Sequence, residues 1–477
     1  MFRTALLALS CLLAPAALAH EGPPGTPPWQ DASAWPDRIV ITPGADPTTS
    51  FAVNWRTDAS VEATEAELVP ASPDARFDLA ATPVPARSET LDPTRISREG
   101  REALVEYNAG LTSVRYHSVV FDELEPDTLY AYRVRGAEDV WSEWFQVRTA
   151  PTEGPIEFLY VGDAQNGILS HWSRVVRGAF RTNPEARFFL HAGDLVNRGA
   201  RDLEWAQWFK AVGFIHGMIP AIPVAGNHEY DSLGLPEGDR RRMLSMLWRP
   251  QFTLPETPEL PAQLQETVYT IRYGSALQVF VLDTMGGDLE AQARWLDAGL
   301  RESEATWRVV SMHHPIFSSG RNRDTPERRA LLLPVLLRHE VDLVLQGHDH
   351  TYARGGIAGG PGGPERTAAG TRDALATMFV NSVSGAKQYE FKEGGWDDYA
   401  DEGVRLERMA ENSQFYQAIR IDGSRLEYRA YTADGELYDE FAAVKDEAGR
   451  KRVVTGREAR RFENTMPYPG ANGLNLD

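Results

Sequence analysis

Cysteine is all but missing from this 477-residue chain: its one thiol, Cys11, lies in the N-terminal apolar stretch. A chain cleaved after that stretch forms no disulfide and no thiolate metal site, so any metal it binds must be held by oxygen and nitrogen. Basic charge is also scarce. Lys and Arg number 49 against 68 Asp and Glu, a formal net charge of -19. This excludes nucleic acid or an anionic membrane surface as the main partner, since both reward clustered cations. A small phosphorylated substrate stays compatible, because bound metal ions can reverse the local potential in an acidic protein. Long apolar runs are missing too. Beyond residue 19 the hydrophobic stretches are strand-length, short of the ~20 residues a membrane span needs, so no integral membrane segment is expected in the mature chain. No internal repeat is visible.

What the chain does have is a clear order of segments. "MFRTALLALSCLLAPAALAH" combines a basic start, an apolar stretch and a small-residue end, and reads as a secretory signal over 1–19 that directs the protein to the periplasm or outside the cell. Residues 20–36 are a Pro/Gly-rich lead-in. Over 37–149 short β-branched and aromatic runs such as "RIVITPG", "SFAVNWRT" and "LYAYRVRG" predict an all-β sandwich, with Trp55 and Trp141 in its core. The closing strands resemble a fibronectin type III domain. Residues 150–155, "APTEGP", form a linker, and strands alternating with helices then predict an α/β (α+β) domain over 156–448. The Gly/Pro-rich stretch at 355–364 reads as a mobile loop, and 449–477 as a peripheral polar tail.

Five segments of the second domain share one property: an apolar strand ends in residues that bind metal. They are "YVGDAQ" with Asp163, "HAGDLVN" with Asp194, "VAGNHE" with Asn227 and His228, "VSMHHP" with His313 and His314, and "LQGHDH" with His348 and His350. An aspartate after a strand is often only a helix cap, and a histidine pair is often incidental. All five in order are another matter, because the carboxyl ends of strands in open α/β sheets converge on one crevice.

The series GD, GDxxN, GNHE, HxP and GHxH resembles the calcineurin-like metallophosphoesterase superfamily. With the β domain in front and "GHDHTYAR" behind, it is most similar to the purple acid phosphatase branch, over about residues 38–440. The resemblance implies a sandwich of two mixed β-sheets flanked by helices, preceded by the all-β domain. It implies that Asp163, Asp194 and His350 hold one metal and that Asp194, Asn227, His313 and His348 hold another, with Asp194 bridging. Ligands of this kind suit two ions drawn from Fe, Mn, Zn or Mg. His228 corresponds to the histidine that contacts phosphate and protonates the leaving oxygen.

Two positions depart from the pattern. Purple acid phosphatases carry a colour-giving tyrosine three residues after the bridging aspartate, where this chain has Asn197. Most other members carry a histidine two residues after the first aspartate, where this chain has Gln165. Both residues could offer a neutral oxygen to a metal, or instead contact substrate or hydrogen-bond behind the ligands. The expectation is two divalent ions and no purple band. His314, Arg198, Tyr352 and Arg354 are candidate substrate contacts.

The activity implied is hydrolysis of small phosphate monoesters by attack of metal-activated hydroxide. A phosphodiesterase on nucleotides or lipid headgroups is the alternative, since the same metal pair serves both. A binding protein with an inactive second domain is the non-enzymatic reading, which the intact ligand series argues against.

Overall fold

In a computed structural model, which describes residues 29–358 and 375–454, the N-terminal β-rich segment pairs into two four-stranded antiparallel sheets. One runs in the order Asp37–Pro43, Phe51–Asp58, Val114–Phe121, Arg87–Leu91. The other runs Phe145–Arg148, Leu129–Val134, Glu65–Pro70, Thr82–Pro85. Alternate residues turn inward, so that Ile41, Val53, Trp55, Tyr130, Tyr132 and Val147 fill the space between the sheets. Trp141 corrects the expectation of a core residue. It is only half-buried and lies under the Arg133 guanidinium, 4.2 Å from the ring centroid. Strands such as "EAELVP" and "RSETL" escape a sequence reading because their exposed faces are charged.

Residues 150–155 belong to no strand. Beyond them the chain builds two seven-stranded mixed sheets. The first has the order Ala221–Pro223, Phe189–His191, Ile156–Val161, Phe415–Asp422, Arg425–Thr432, Leu437–Lys445, Lys451–Val454. The second has the order Tyr269–Tyr273, Leu277–Val281, Trp307–Ser311, Leu343–Gln346, Leu375–Asn381, Tyr352–Ala358, Val404–Ala410. Parallel pairing joins the first three strands of the one, and Leu277–Val281 through Leu375–Asn381 of the other. The near-continuous apolar strands "LQVFV" and "IEFLYV" fit such doubly covered positions. One core spans both sheets, with Phe188 stacked on Tyr273 at 4.6 Å. Helices are sparse: four α-helices occur among the described residues, and Leu289–Glu302 and Pro326–Arg338 cover a second core. None is long and apolar enough to cross a membrane.

Two expectations need correction. Residues 451–454 are not peripheral, because they add the last strand of the first sheet, where buried Lys451 donates to Asp342 at 3.0 Å. Gly355–Ala358 likewise belong to a strand rather than a loop. At Gly355 a Cβ would lie 1.9 Å from the Arg405 carbonyl oxygen, so glycine there is what lets the neighbouring strand approach. The signal at 1–19, most of the lead-in, the rest of the Gly/Pro stretch and the residues after 454 lie outside the described residues.

The two domains are joined by buried polar contacts. Arg38 donates to Asp202 at 2.8 Å, Arg56 lies 3.8 Å from the same carboxylate, and the Tyr132 hydroxyl donates to the Gly217 carbonyl at 2.7 Å. Removing Asp202 leaves the buried Arg38 without a carboxylate, while Arg56 keeps Asp37 at 2.6 Å. Asp202→Ala should therefore lower the unfolding free energy by about 3–5 kcal/mol in urea titrations, and wild type should unfold in a single transition. Two resolved wild-type transitions would show that the domains are not coupled.

Candidate metal centre

The parallel strands of both sheets end at one edge, and the loops leaving them bring the five motifs together. Asp163, Asp194 and His350 have donor atoms all within 4.8 Å of one another, as do Asp194, His313 and His348. Asp194 is common to both groups. Asn227 completes the second, its Oδ1 lying 3.2 Å from His313 Nε2 and 2.9 Å from His348 Nδ1. Asp163, Asp194, His313 and His350 are all at most 1% exposed.

The backbone is bent to do this. Asp163, Asp194, His348 and His350 have φ values of 36°, 51°, 75° and 52°, the left-handed region that non-glycine residues seldom enter. Such strain survives only where the surroundings dictate it, and here the loops must turn sharply to aim polar side chains into one crevice. Gly226 and Gly347 leave the room: a Cβ on them would lie 2.2 Å from Asp194 Oδ1 and 2.5 Å from Asp163 Oδ2.

Hydrogen bonds set the direction of each donor. His313 donates from Nδ1 to the Ala192 carbonyl at 2.8 Å and His350 from Nδ1 to the Lys387 carbonyl at 2.8 Å, so both turn Nε2 inward. Gln165, fully buried, donates to Asp194 Oδ2 at 2.8 Å and lies 3.1 Å from His350 Nε2. Asp163 Oδ1 and Gln165 Oε1 are buried with no hydrogen-bond partner. Burial, reinforced by the Asp194 charge, pushes the Asp163 carboxyl up to about 8. Burial opposes a charge on His313, yet Asp194 and Asp163 push it up to about 9. A buried, unsatisfied Asp163 oxygen, inward imidazole nitrogens and a carboxyl that burial drives toward its neutral form make a donor set suited to cations.

The other predicted residues are placed as follows. His228 stands beside the cluster, its amide donating to Asp194 Oδ1 at 2.9 Å and its Nδ1 lying 2.6 Å from the Asn197 carbonyl. Asn197 takes part through its backbone, with its amide also donating to Glu204 at 2.6 Å. Arg198 is partly exposed at the rim. His314 is buried behind His348, with ring centroids 4.1 Å apart and Nδ1 2.7 Å from Thr284 Oγ1. Tyr352 and Arg354 correct the expectation of substrate contact. Both are buried between the sheets, where Arg354 pairs with Asp439 and Glu407 at 2.5 Å each and the Tyr352 hydroxyl donates to Asp439 at 2.6 Å. Their strand leaves the crevice after His350 and carries them into the sheet contact.

A sequence reading misses Glu229. Fully buried, its carboxylate accepts from the amides of Gly226 at 2.7 Å, Asp194 at 3.0 Å, Leu195 at 2.9 Å and Val196 at 3.3 Å, which ties the Asn227 loop to the Asp194 loop. Its place in "GNHE" is the only local signal. Asp349 acts similarly on a neighbouring loop, accepting from the amides of Ser319 at 2.6 Å and Gly320 at 3.0 Å.

Comparison with known proteins places the chain among phosphoesterases. Residues 156–352 match the family Calcineurin-like phosphoesterase and residues 36–149 match Purple acid Phosphatase, N-terminal domain. Purple acid phosphatase 21 of Arabidopsis thaliana is 28% identical over 259 residues, 52% of this chain and 54% of that protein. Fe(3+)-Zn(2+) purple acid phosphatase 12 of the same plant is 27% identical over 301 residues, 57% of this chain and 60% of that protein. The chain thus spans a little over half the length of these curated relatives. The structure of purple acid phosphatase PPD1 from yellow lupin seeds superposes with a TM-score of 0.67 at 17% identity, covering 87% of this chain and 75% of that one, which establishes a shared fold.

Glu229→Gln would turn an amide group toward backbone donors that need an acceptor. It should cost about 1–3 kcal/mol of stability in equilibrium unfolding, and an unchanged midpoint would contradict the clamp.

Proposed function

We propose, for a chain that belongs to the calcineurin-like phosphoesterases and carries a purple acid phosphatase N-terminal domain, a binuclear-metal phosphatase that hydrolyses phosphate monoesters. The observation that carries this reading is the sharing of Asp194 by two donor groups, each able to hold an ion. Asp163, Asp194, His350 and Gln165 would hold one, and Asp194, Asn227, His313 and His348 the other. When bound, the pair supplies Lewis acidity to the phosphate oxygens and acidifies water to a nucleophile at moderate pH.

The chain's own groups do the rest. Glu229 and Ala192 fix the Asp194 loop and the His313 ring, so the donors are preorganised rather than collected at each turnover. His228, held through Nδ1 on the Asn197 carbonyl, keeps Nε2 on the open side of Asp194, with 24% of its side chain exposed. Protonated there, it donates to the departing oxygen of the ester. The leader pattern of residues 1–19 supports a secreted or periplasmic enzyme.

Gln165 stands beside Asp194 and His350 in place of an imidazole, its amide able to offer a neutral oxygen once turned over, and Asn197 offers no phenolate. Two divalent ions therefore suit the centre, and iron-reconstituted wild type should show no visible charge-transfer band. A purple wild type would contradict this assignment.

Asp194→Ala should abolish hydrolysis of p-nitrophenyl phosphate and lower metal content, measured by mass spectrometry of the elements, by more than one ion per chain. His228→Ala should instead lower kcat by about 10²–10⁴-fold at near-normal metal content. Equal metal loss in both would refute one of the two roles, and faster turnover of bis-p-nitrophenyl phosphate than of the monoester would overturn the monoester assignment.

A further inference from the structure

Between strands Arg87–Leu91 and Val114–Phe121 the N-terminal domain sends out an excursion: the hairpin Arg95–Arg98/Arg101–Leu104 and the 3-10 turn Glu106–Asn108. Its Ile96 and Val105 are buried against Ala200 of the second domain, with Leu233 and Met246 alongside. Polar contacts then fasten it to both loops that frame His228. Asn108 donates to the Ala200 carbonyl at 2.8 Å and accepts from the Asp202 amide at 2.9 Å, holding the loop that follows Asp194. Arg98 donates to Asp231 at 2.8 Å, the Leu233 carbonyl at 3.2 Å and the Leu244 carbonyl at 2.7 Å, holding the loop that follows Glu229.

At the tip of this clamp Tyr107 keeps 53% of its surface exposed. The Arg198 guanidinium lies over its ring, 5.4 Å from the centroid. Arg198 is placed by its neighbours: the Asn197 carbonyl faces His228 Nδ1, the Gly199 amide donates to the His228 carbonyl at 2.8 Å, and the Arg198 amide donates to Glu204 at 2.8 Å. The backbone that carries Arg198, and with it the Tyr107–Arg198 pair, is thereby fixed against that of His228, the residue at which the leaving group departs on the phosphatase reading.

We propose that Tyr107 and Arg198 form the recognition wall for the organic part of the ester, and that it favours a planar, π-bearing group such as an aryl or nucleoside moiety. The proposal rests on the phosphatase reading for the placement of the leaving group. A guanidinium held over an aromatic ring presents a weakly hydrated surface that accepts another planar group. A small aliphatic alcohol gains little there. Tyr107 belongs to one domain and Arg198 to the other, so the wall exists only when the two are docked, and the β domain becomes part of the active site.

The test uses the full-length, metal-loaded protein and two non-hydrolysable ligands, phenylphosphonate and methylphosphonate, with affinities measured by calorimetry. Tyr107→Ala should weaken phenylphosphonate about 3–10-fold and leave methylphosphonate within about twofold, whereas Tyr107→Phe should keep both. Tyr107 is half exposed, so its replacement leaves folding and metal content unchanged. An equal change for both ligands, or none for either, would overturn the proposal. Because the readout is binding, a wild type that bound phenylphosphonate in this Tyr107-dependent way and hydrolysed nothing would sink the phosphatase reading alone.

Discussion

A carboxylate cannot sit uncompensated at the edge of a protein core, and the structure around Asp194 is organised by that constraint. Asp194 is 1% exposed, belongs to two donor groups at once, and adopts a left-handed backbone conformation that costs energy before any ligand binds. Everything near it either holds the carboxylate in place or shares its charge. Glu229 anchors its loop through backbone amides, and Gly226 clears the space beside its oxygen. Imidazoles locked through their outer nitrogens face it. A second buried acid, Asp163, stands close enough that the Asp194 charge helps raise its affinity for protons. Such a cluster makes physical sense as a cradle for cations, and the fold supplies the rigid strand ends that keep it from relaxing.

The two seven-stranded sheets give that rigidity in different ways. Parallel strands carry the motif loops to one edge. Antiparallel strands extend each sheet away from the site, and the buried Arg354, Asp439, Glu407 and Tyr352 group ties one sheet to the other. The β domain is fastened by its own buried ions, chiefly Arg38 on Asp202, whose helix begins just after the loop that carries Arg198. Loss of docking would thus reach the rim of the site through a short stretch of chain.

Much of this is legible in the sequence, for a local reason. An apolar run ending in Gly-Asp, Gly-Asn-His, His-His-Pro or Gly-His-x-His places strand, turn and polar side chain within a few residues, so Asp163, Asp194, Asn227, His313, His348 and His350 stand out once the five segments are taken together. Roles that depend on distant partners are not legible. Arg354 looks like a substrate contact because it follows the GHDH motif, and only the partners 85 and 53 residues away show it to be a buried tie. Glu229 acts on amides more than thirty positions upstream, which its place in "GNHE" does not reveal. Lys451–Val454 reads as tail because the burial of Lys451 depends on Asp342, far back in the chain. Gly355 and Gly356 read as loop because glycine needed for close strand approach is indistinguishable in sequence from glycine needed for a turn.

Whether Asp194 is shared by two ions can be seen by anomalous diffraction from crystals of the protein purified without chelators, recorded at the absorption edges of iron, manganese and zinc. Two peaks are expected in the crevice roughly 3.5 Å apart, with the Asp194 carboxylate within bonding distance of both. A single peak, or two peaks of which only one is bonded by Asp194, would contradict the sharing.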